Sequence, residues 1–147
     1  MILTGKPLPA HLDNQGIGDE DFTARAVVKY LESRFENFQG KHIIVIGRSK
    51  LLGRPIAKYL LDRDATVTVC HSQSGDLWRY LGDADAIVCA VGKPNFLNCY
   101  SIYVPVVDVG VNKVGDKYVG DCFNTENRDV FTGIGKMTRQ ILKEEIL

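Results

Sequence analysis

Ile43-Ile44-Val45-Ile46 is an unbroken run of β-branched residues that stops at Gly47; a second glycine, Gly53, then leads through Arg54-Pro55 into a helical pattern. A run without polar alternation suits a strand covered on both faces, as in a parallel sheet. Proline belongs in the first turn of a helix, where its missing N–H is not needed. The stretch therefore reads as strand, glycine turn and helix. Gly47 and Gly53 let backbone approach a ligand closely, and the start of the helix is expected to aim free N–H groups at it, which makes an anion site. The string G-R-S-K-L-L-G differs from the dinucleotide pattern G-x-G-x-x-G by placing Ser49 where the second glycine stands. Its other reading is a turn that needs glycine for geometry alone.

The following strand chooses between cofactors. Ala65-Thr66-Val67-Thr68-Val69-Cys70 ends in His71-Ser72-Gln73-Ser74. A protein selecting NAD places a carboxylate near this point to accept from the ribose 2′-hydroxyl. None is present here, whereas Arg48, Ser49, His71 and Ser72 can all donate to a 2′-phosphate, Arg48 with a charged planar fork. NADP is the expected cofactor. Solvated loop residues are the alternative reading of Arg48 and His71.

Along the rest of the chain, residues 1–21 are broken by Gly5, Pro7, Pro9, Gly16 and Gly18 and read as an extended lead-in to a single domain over 22–147. Ala24, Val27, Val28, Leu31 and Phe35 recur at helical spacing, predicting an amphipathic helix over 22–38. A helix over 52–63 joins strands 42–47 and 66–70 into a right-handed βαβ unit. A short helix is expected within 75–82 and strands at 84–91 and 104–110, with Lys117 to Cys122 as a further edge strand. Gly92, at a strand's carboxyl end, stands where open α/β sheets bind ligands, though it reads equally as a plain turn glycine. Asp108 among valines is the odd residue of its strand; capping a loop through backbone N–H groups is favoured over lining a site. Gly133 and Gly135 are expected to form a second loop entering a C-terminal amphipathic helix that carries Met137, Ile141 and Leu142. Together these elements predict an α/β fold with an open, mostly parallel sheet of about five strands and helices on both faces.

Composition narrows the function classes. Of 147 residues 45% are hydrophobic, enough for one domain with its own core, and 18 Lys plus Arg balance 18 Asp plus Glu, so no global field attracts nucleic acid or an anionic membrane. Cys70, Cys89, Cys99 and Cys122 show neither C-x-x-C pairing nor zinc spacing, and they read as reduced, buried thiols. No metal site is expected. No targeting leader or spanning segment is seen, and a cytoplasmic location is expected.

Taken in order, Val45-Ile46-Gly47-Arg48-Ser49, Leu52-Gly53-Arg54-Pro55, Thr66 to Ser72, Ala84-Asp85-Ala86-Ile87, Ala90-Val91-Gly92-Lys93-Pro94, Val107-Asp108-Val109-Gly110-Val111-Asn112, Val119-Gly120-Asp121 and Gly133 to Thr138 resemble the bifunctional methylenetetrahydrofolate dehydrogenase/methenyltetrahydrofolate cyclohydrolases over residues 40–147. The resemblance implies a Rossmann-like NADP-binding domain acting in one-carbon metabolism. It implies Arg48, Ser49, His71 and Ser72 around the ribose phosphate, Val91 and Gly92 along the cofactor, and Gly110, Val111 and Thr138 beside the nicotinamide and pterin. It also implies tetrahydrofolate derivatives as second ligands and a homodimer, or a mixed dimer with a full-length relative. Pro7 to Leu12 look like the tail of the family's folate-domain motif and Thr23 to Val28 like its interdomain helix. The folate domain's Y-x-x-x-K pair has no counterpart, Gly5 stands at the motif glutamine and Lys136 where a proline is usual. No catalytic residue is therefore assigned and cyclohydrolase chemistry is not expected. Three functions stay open: a minimal NADP-dependent oxidoreductase, a non-catalytic NADP or folate binding module, and an interaction protein pairing through its sheet edge.

Overall fold

The computed structural model describes residues 22–146. At its centre lies the βαβ unit read from the sequence: β1 (His42–Ile46), α2 (Gly53–Asp62) and β2 (Thr66–Cys70), preceded by α1 (Phe22–Glu32). Then come α3 (Trp78–Leu81), β3 (Ala86–Cys89), β4 (Leu97–Asn98), β5 (Val106–Asp108), β6 (Asn112–Val114), β7 (Lys117–Val119), β8 (Cys122–Phe123), β9 (Val130–Phe131) and α4 (Ile134–Ile146). The main sheet has five strands in the order β2-β1-β3-β5-β9. All of its pairings are parallel, with Ile46 beside Cys70 on one side and Cys89 on the other. The lead-in expected over 1–21 lies outside the described residues.

Because β1 and β3 are covered on both sides, their residues divide between two cores. Ile43, Val45, Ala86 and Val88 meet Phe22, Val27, Val28 and Leu31 of α1, Ile56 and Leu60 of α2, and Ile134 and Ile141 of α4. Ile44, Ile46, Ile87 and Cys89 face Leu81, Leu97, Cys99 and Ile102. Full burial of each large aliphatic chain contributes about 1.5–3 kcal/mol, so the central strands anchor both layers. Helices lie on both faces, unequally: three long ones on the first, and on the second the single turn of α3 with loops and the two-residue strands β4 and β8.

Several boundaries differ from the sequence reading. α1 ends at Glu32 rather than 38, where the chain tightens: Ser33 N–H reaches Tyr30 O at 3.0 Å and Arg34 N–H reaches Leu31 O at 2.9 Å. Phe38 then turns back into the core, and Arg34 pairs with Asp129 while Tyr30 stacks on Phe131 at 3.9 Å, tying α1 to β9. The edge strand expected over Lys117 to Cys122 is two elements instead. β7 closes an antiparallel hairpin with β6 around Gly115 at φ 62°, and β8 pairs with β4. The break falls at Gly120-Asp121, where a Cβ on Gly120 would lie 2.1 Å from Asp108 Oδ2 and the Asp121 side chain turns inward. The strand outside β5 in the main sheet is β9 instead. The second glycine loop is shorter than expected: Gly133 precedes α4, but Gly135 already belongs to it.

Candidate functional site

From β1 the chain crosses to β2 on one side and then returns to β3 on the other, so the strand order reverses between β1 and β3. Such a switch point opens a crevice at the carboxyl ends of the strands, where ligands of open α/β sheets bind. The walls here are the 47–53 loop after β1, the 71–74 turn after β2, the 91–93 loop after β3 and the segment after β5 at 109–111.

Both loop glycines are demanded by close approach. Gly47 has φ 122°, and a Cβ there would lie 2.3 Å from Ala90 O; a Cβ on Gly53 would lie 2.1 Å from Gly47 O. Ser49 then does what was expected of a ligand. Its Oγ accepts from Leu52 N–H at 3.1 Å and from Gly53 N–H at 3.4 Å, and its carbonyl accepts from Arg54 N–H at 3.0 Å. Pro55 has no N–H, and Ile56 N–H bonds to Leu52 O, so the expectation that the start of α2 offers free N–H groups is not met. The available donors belong to the loop: the backbone N–H groups of Arg48 to Leu51 have no partner among the described residues, and the Ser49 hydroxyl, accepting twice, keeps its hydrogen for an outside acceptor.

Arg48 is exposed, and its guanidinium makes no hydrogen bond or ion pair with the described residues. The register pairing Ile46 with Cys70 puts its loop beside His71 and Ser72. There Ser74 Oγ accepts from His71 N–H at 2.8 Å, and His71 Nδ1 accepts from Gln73 N–H at 3.2 Å. A neutral His71 ring therefore carries its proton on Nε2 as a donor. Ser72 is exposed. Four donors sit at the ends of adjacent strands with no carboxylate among them, so the residues present suit an anionic group carried on a ribose.

The opposite wall rests on two buried acids. Asp121, 0% exposed, accepts from the N–H groups of Val91, Gly92 and Lys93 at 2.9, 3.0 and 3.0 Å and from Asn112 Nδ2 at 2.8 Å. Asp108 accepts from the N–H groups of Gly110, Asp121 and Cys122 at 3.0, 3.0 and 3.1 Å. Burial raises the Asp108 pKa above the usual carboxylate value, against the opposing pull of these backbone bonds. Its role is the loop-capping one favoured from sequence. Gly110 is a glycine because a Cβ there would lie 2.0 Å from Asp121 Oδ1, an internal requirement rather than a ligand's. Val91 and Val111 are half-buried, and Gly92 is exposed at φ 70°.

Thr138 is fully buried inside α4 with its hydroxyl donating to Ile134 O at 2.8 Å, so it presents no surface to a ligand in this arrangement. The residue missed as an organiser is Asp121. Its sequence signal was a lone carboxylate between Gly120 and the apolar Cys122-Phe123. Cys70, Cys89 and Cys99 are buried and Cys122 half-buried, all as free thiols. Among the described residues no cluster of potential metal ligands is found, and no helix is long and apolar enough to cross a membrane.

Residues 21–147 match the family model of the tetrahydrofolate dehydrogenase/cyclohydrolase NAD(P)-binding domain. The bifunctional protein FolD of Natranaerobius thermophilus is 38% identical over 146 residues, covering 91% of this chain and 51% of the relative. The FolD methylenetetrahydrofolate dehydrogenase/cyclohydrolase of Campylobacter jejuni superposes with TM-score 0.77 at 35% identity, over 92% of this chain and 52% of that one. The Trypanosoma brucei enzyme, whose structure is a complex with NADP cofactor and inhibitor, gives TM-score 0.74 at 28% identity over the same shares. The chain spans about half the length of these relatives.

Proposed function

Because the chain belongs to the tetrahydrofolate dehydrogenase/cyclohydrolase family through its NAD(P)-binding domain, we propose that it binds NADP and serves as the cofactor-holding part of a methylenetetrahydrofolate dehydrogenase. The observation carrying this reading is the exposed Arg48 guanidinium, without a hydrogen bond or ion pair among the described residues, beside the carboxylate-free His71-Ser72 turn. Arg48, the Ser49 hydroxyl and His71 Nε2–H hold the 2′-phosphate, while the unpartnered N–H groups of Arg48 to Leu51 serve the diphosphate. When bound, NADP supplies the hydride acceptor for the folate methylene carbon. The chain's own contribution is to hold and orient, and hydride transfer asks no proton-transfer residue of it.

Cyclohydrolase chemistry is not proposed for these 147 residues, since the sequence offers no counterpart of the family's tyrosine and lysine. The substitutes in reach of the sequence are Lys6 and His11, outside the described residues, and Lys29, on the exposed side of α1. Titration of the purified chain with NADPH and NADH tests the binding reading, and adding methylenetetrahydrofolate with NADP tests turnover. Equal affinity for the two dinucleotides would reject the NADP assignment. Binding without turnover would make the chain a cofactor-binding module.

A second reading, pairing with another chain, is favoured by β2. It is an outer strand of the main sheet, and Thr66 and Val69 on it are exposed. An uncovered strand edge is a ready template for pairing, and a twofold dimer is the proposed assembly.

A further inference from the structure

Three successive N–H groups converging on one point, with a left-handed residue among them, form a nest of the kind that binds anions. The loop after β3 is such a nest: Val91, Gly92 and Lys93 direct their N–H groups to one spot, and Gly92 has φ 70°. It stands at the switch-point crevice, where a dinucleotide's phosphates are to be expected. Yet it is already filled, because the Asp121 carboxylate occupies it and is fully buried there.

The consequence follows from the planarity of the peptide. In a trans peptide the C=O points opposite to the N–H it shares a plane with. Once the N–H groups of residues 91, 92 and 93 are drawn to Asp121, the carbonyls of Ala90, Val91 and Gly92 must face away from it. The Ala90 oxygen does: it faces Gly47 across the crevice, so closely that no Cβ fits between them. The loop therefore spends its donors on Asp121 and turns its acceptors to the side away from it.

We propose that Asp121 is a positioning residue that reverses the polarity of the 91–93 loop, closing it to phosphate and presenting the Val91 and Gly92 carbonyls to the hydroxyl and amide donors of the cofactor's nicotinamide half. This rests on the NADP reading above. Asp108 is the base of the device: it accepts from Asp121 N–H and Gly110 N–H, so the segment after β5 is fixed by the same pair of acids. Asn112 closes it from the hairpin through its bond to Asp121 Oδ1.

The division of the crevice into a phosphate side and a donor-accepting side supplies the test. Asp121→Asn replaces one acceptor oxygen of the nest by an amide donor, which opposes the N–H groups it faces. Affinities for NADPH and for adenosine 2′,5′-bisphosphate, which has no nicotinamide half, are measured by calorimetry on the full chain. The variant is expected to lose about tenfold in NADPH affinity, the size of losing one or two neutral hydrogen bonds, with the bisphosphate unchanged. Should Asp121→Asn not fold, Asn112→Ala, which keeps the buried charge, is expected to cost NADPH about threefold and the bisphosphate nothing. Unchanged NADPH affinity, or a parallel loss for both ligands, would overturn the inference and leave the NADP reading standing. A wild-type chain that binds neither ligand would overturn that reading, and this one with it.

Discussion

Removing Arg48 is the sharpest perturbation of the cofactor assignment. The side chain is exposed and gives up no hydrogen bond or ion pair with the described residues when it engages a ligand, so its gain is reduced chiefly by solvent screening. Hydrogen bonds to charged groups contribute about 1.5–3 kcal/mol. At about 0.1 M salt, with a Debye length near 10 Å, an exposed guanidinium belongs at the low end of that range. Arg48→Ala is therefore expected to cost about 1.5–2 kcal/mol against NADPH, roughly a ten- to thirtyfold loss. NADH affinity should not move, because NADH has no 2′-phosphate and the Arg48 to Leu51 N–H groups remain. Fluorescence titration of wild type and variant with both reduced dinucleotides gives the four affinities needed. Raising the salt concentration should weaken NADPH binding in the wild type and have little effect in the variant. A variant that retains the full preference for NADPH, or loses both dinucleotides equally, would refute the role given to Arg48.

Gly53→Ala forces a Cβ to 2.1 Å from Gly47 O and is expected to destabilise the domain by about 2–4 kcal/mol, lowering the melting temperature by roughly 10 °C; a melt by circular dichroism within a degree or two of wild type would contradict the packing argument. Asp129 is held below the usual carboxylate pKa chiefly by its hydrogen bond from Arg34, with the side chains 34% and 42% exposed. After screening, the pair is worth at most about 1 kcal/mol, present above the unfolded carboxylate pKa of about 3.9 and lost as pH falls through the lowered folded value. Urea unfolding should accordingly show Arg34→Ala slightly weaker at pH 7 with the gap to wild type narrowing on acidification, and a gap that widens on acidification would reverse the sign. For assembly, light scattering should give twice the mass of the 16.3 kDa chain; a single species at the mass of one chain, unchanged by dilution and NADP, would reject the dimer.

The parts of the fold legible in the sequence are those specified by local pattern. Ile43 to Ile46 form a strand buried on both faces because no polar residue interrupts them, and the glycines and Pro55 fix the turn into α2. The β1–β2 pairing and the sheet's parallel order follow from that unit. Long-range constraints were illegible. Nothing near Glu32 marks the end of α1, which is set by the ties of Tyr30 and Arg34 to Phe131 and Asp129 far along the chain. Lys117 to Cys122 has a strand's composition, but Asp108 and Asp121 divide it. At the site, the ends of β1 and β2 could be read because side-chain chemistry names a 2′-phosphate directly. The nest at 91–93 could not, since its donors are backbone groups whose direction is decided by an acid about thirty residues away.

The unequal cover of the two sheet faces has a consequence for how the domain breathes. Strands β4 and β8, two residues each, hold down the loop-covered side, whereas three helices clamp the other. Local opening should begin where short strands and irregular segments are the only cover, leaving the helical layer folded. Asp121 immediately precedes β8, and its carbonyl accepts from Phe96 and Leu97 N–H, so the latch of the 91–93 loop is mounted on the part that opens. Amide hydrogens of Val91, Gly92 and Lys93 should exchange with deuterium together with those of Leu97 and Cys99, as one cooperative unit. A ligand seated in the crevice would then slow exchange in β4 and β8 without touching them, which makes this loosely covered face the domain's own reporter of occupancy.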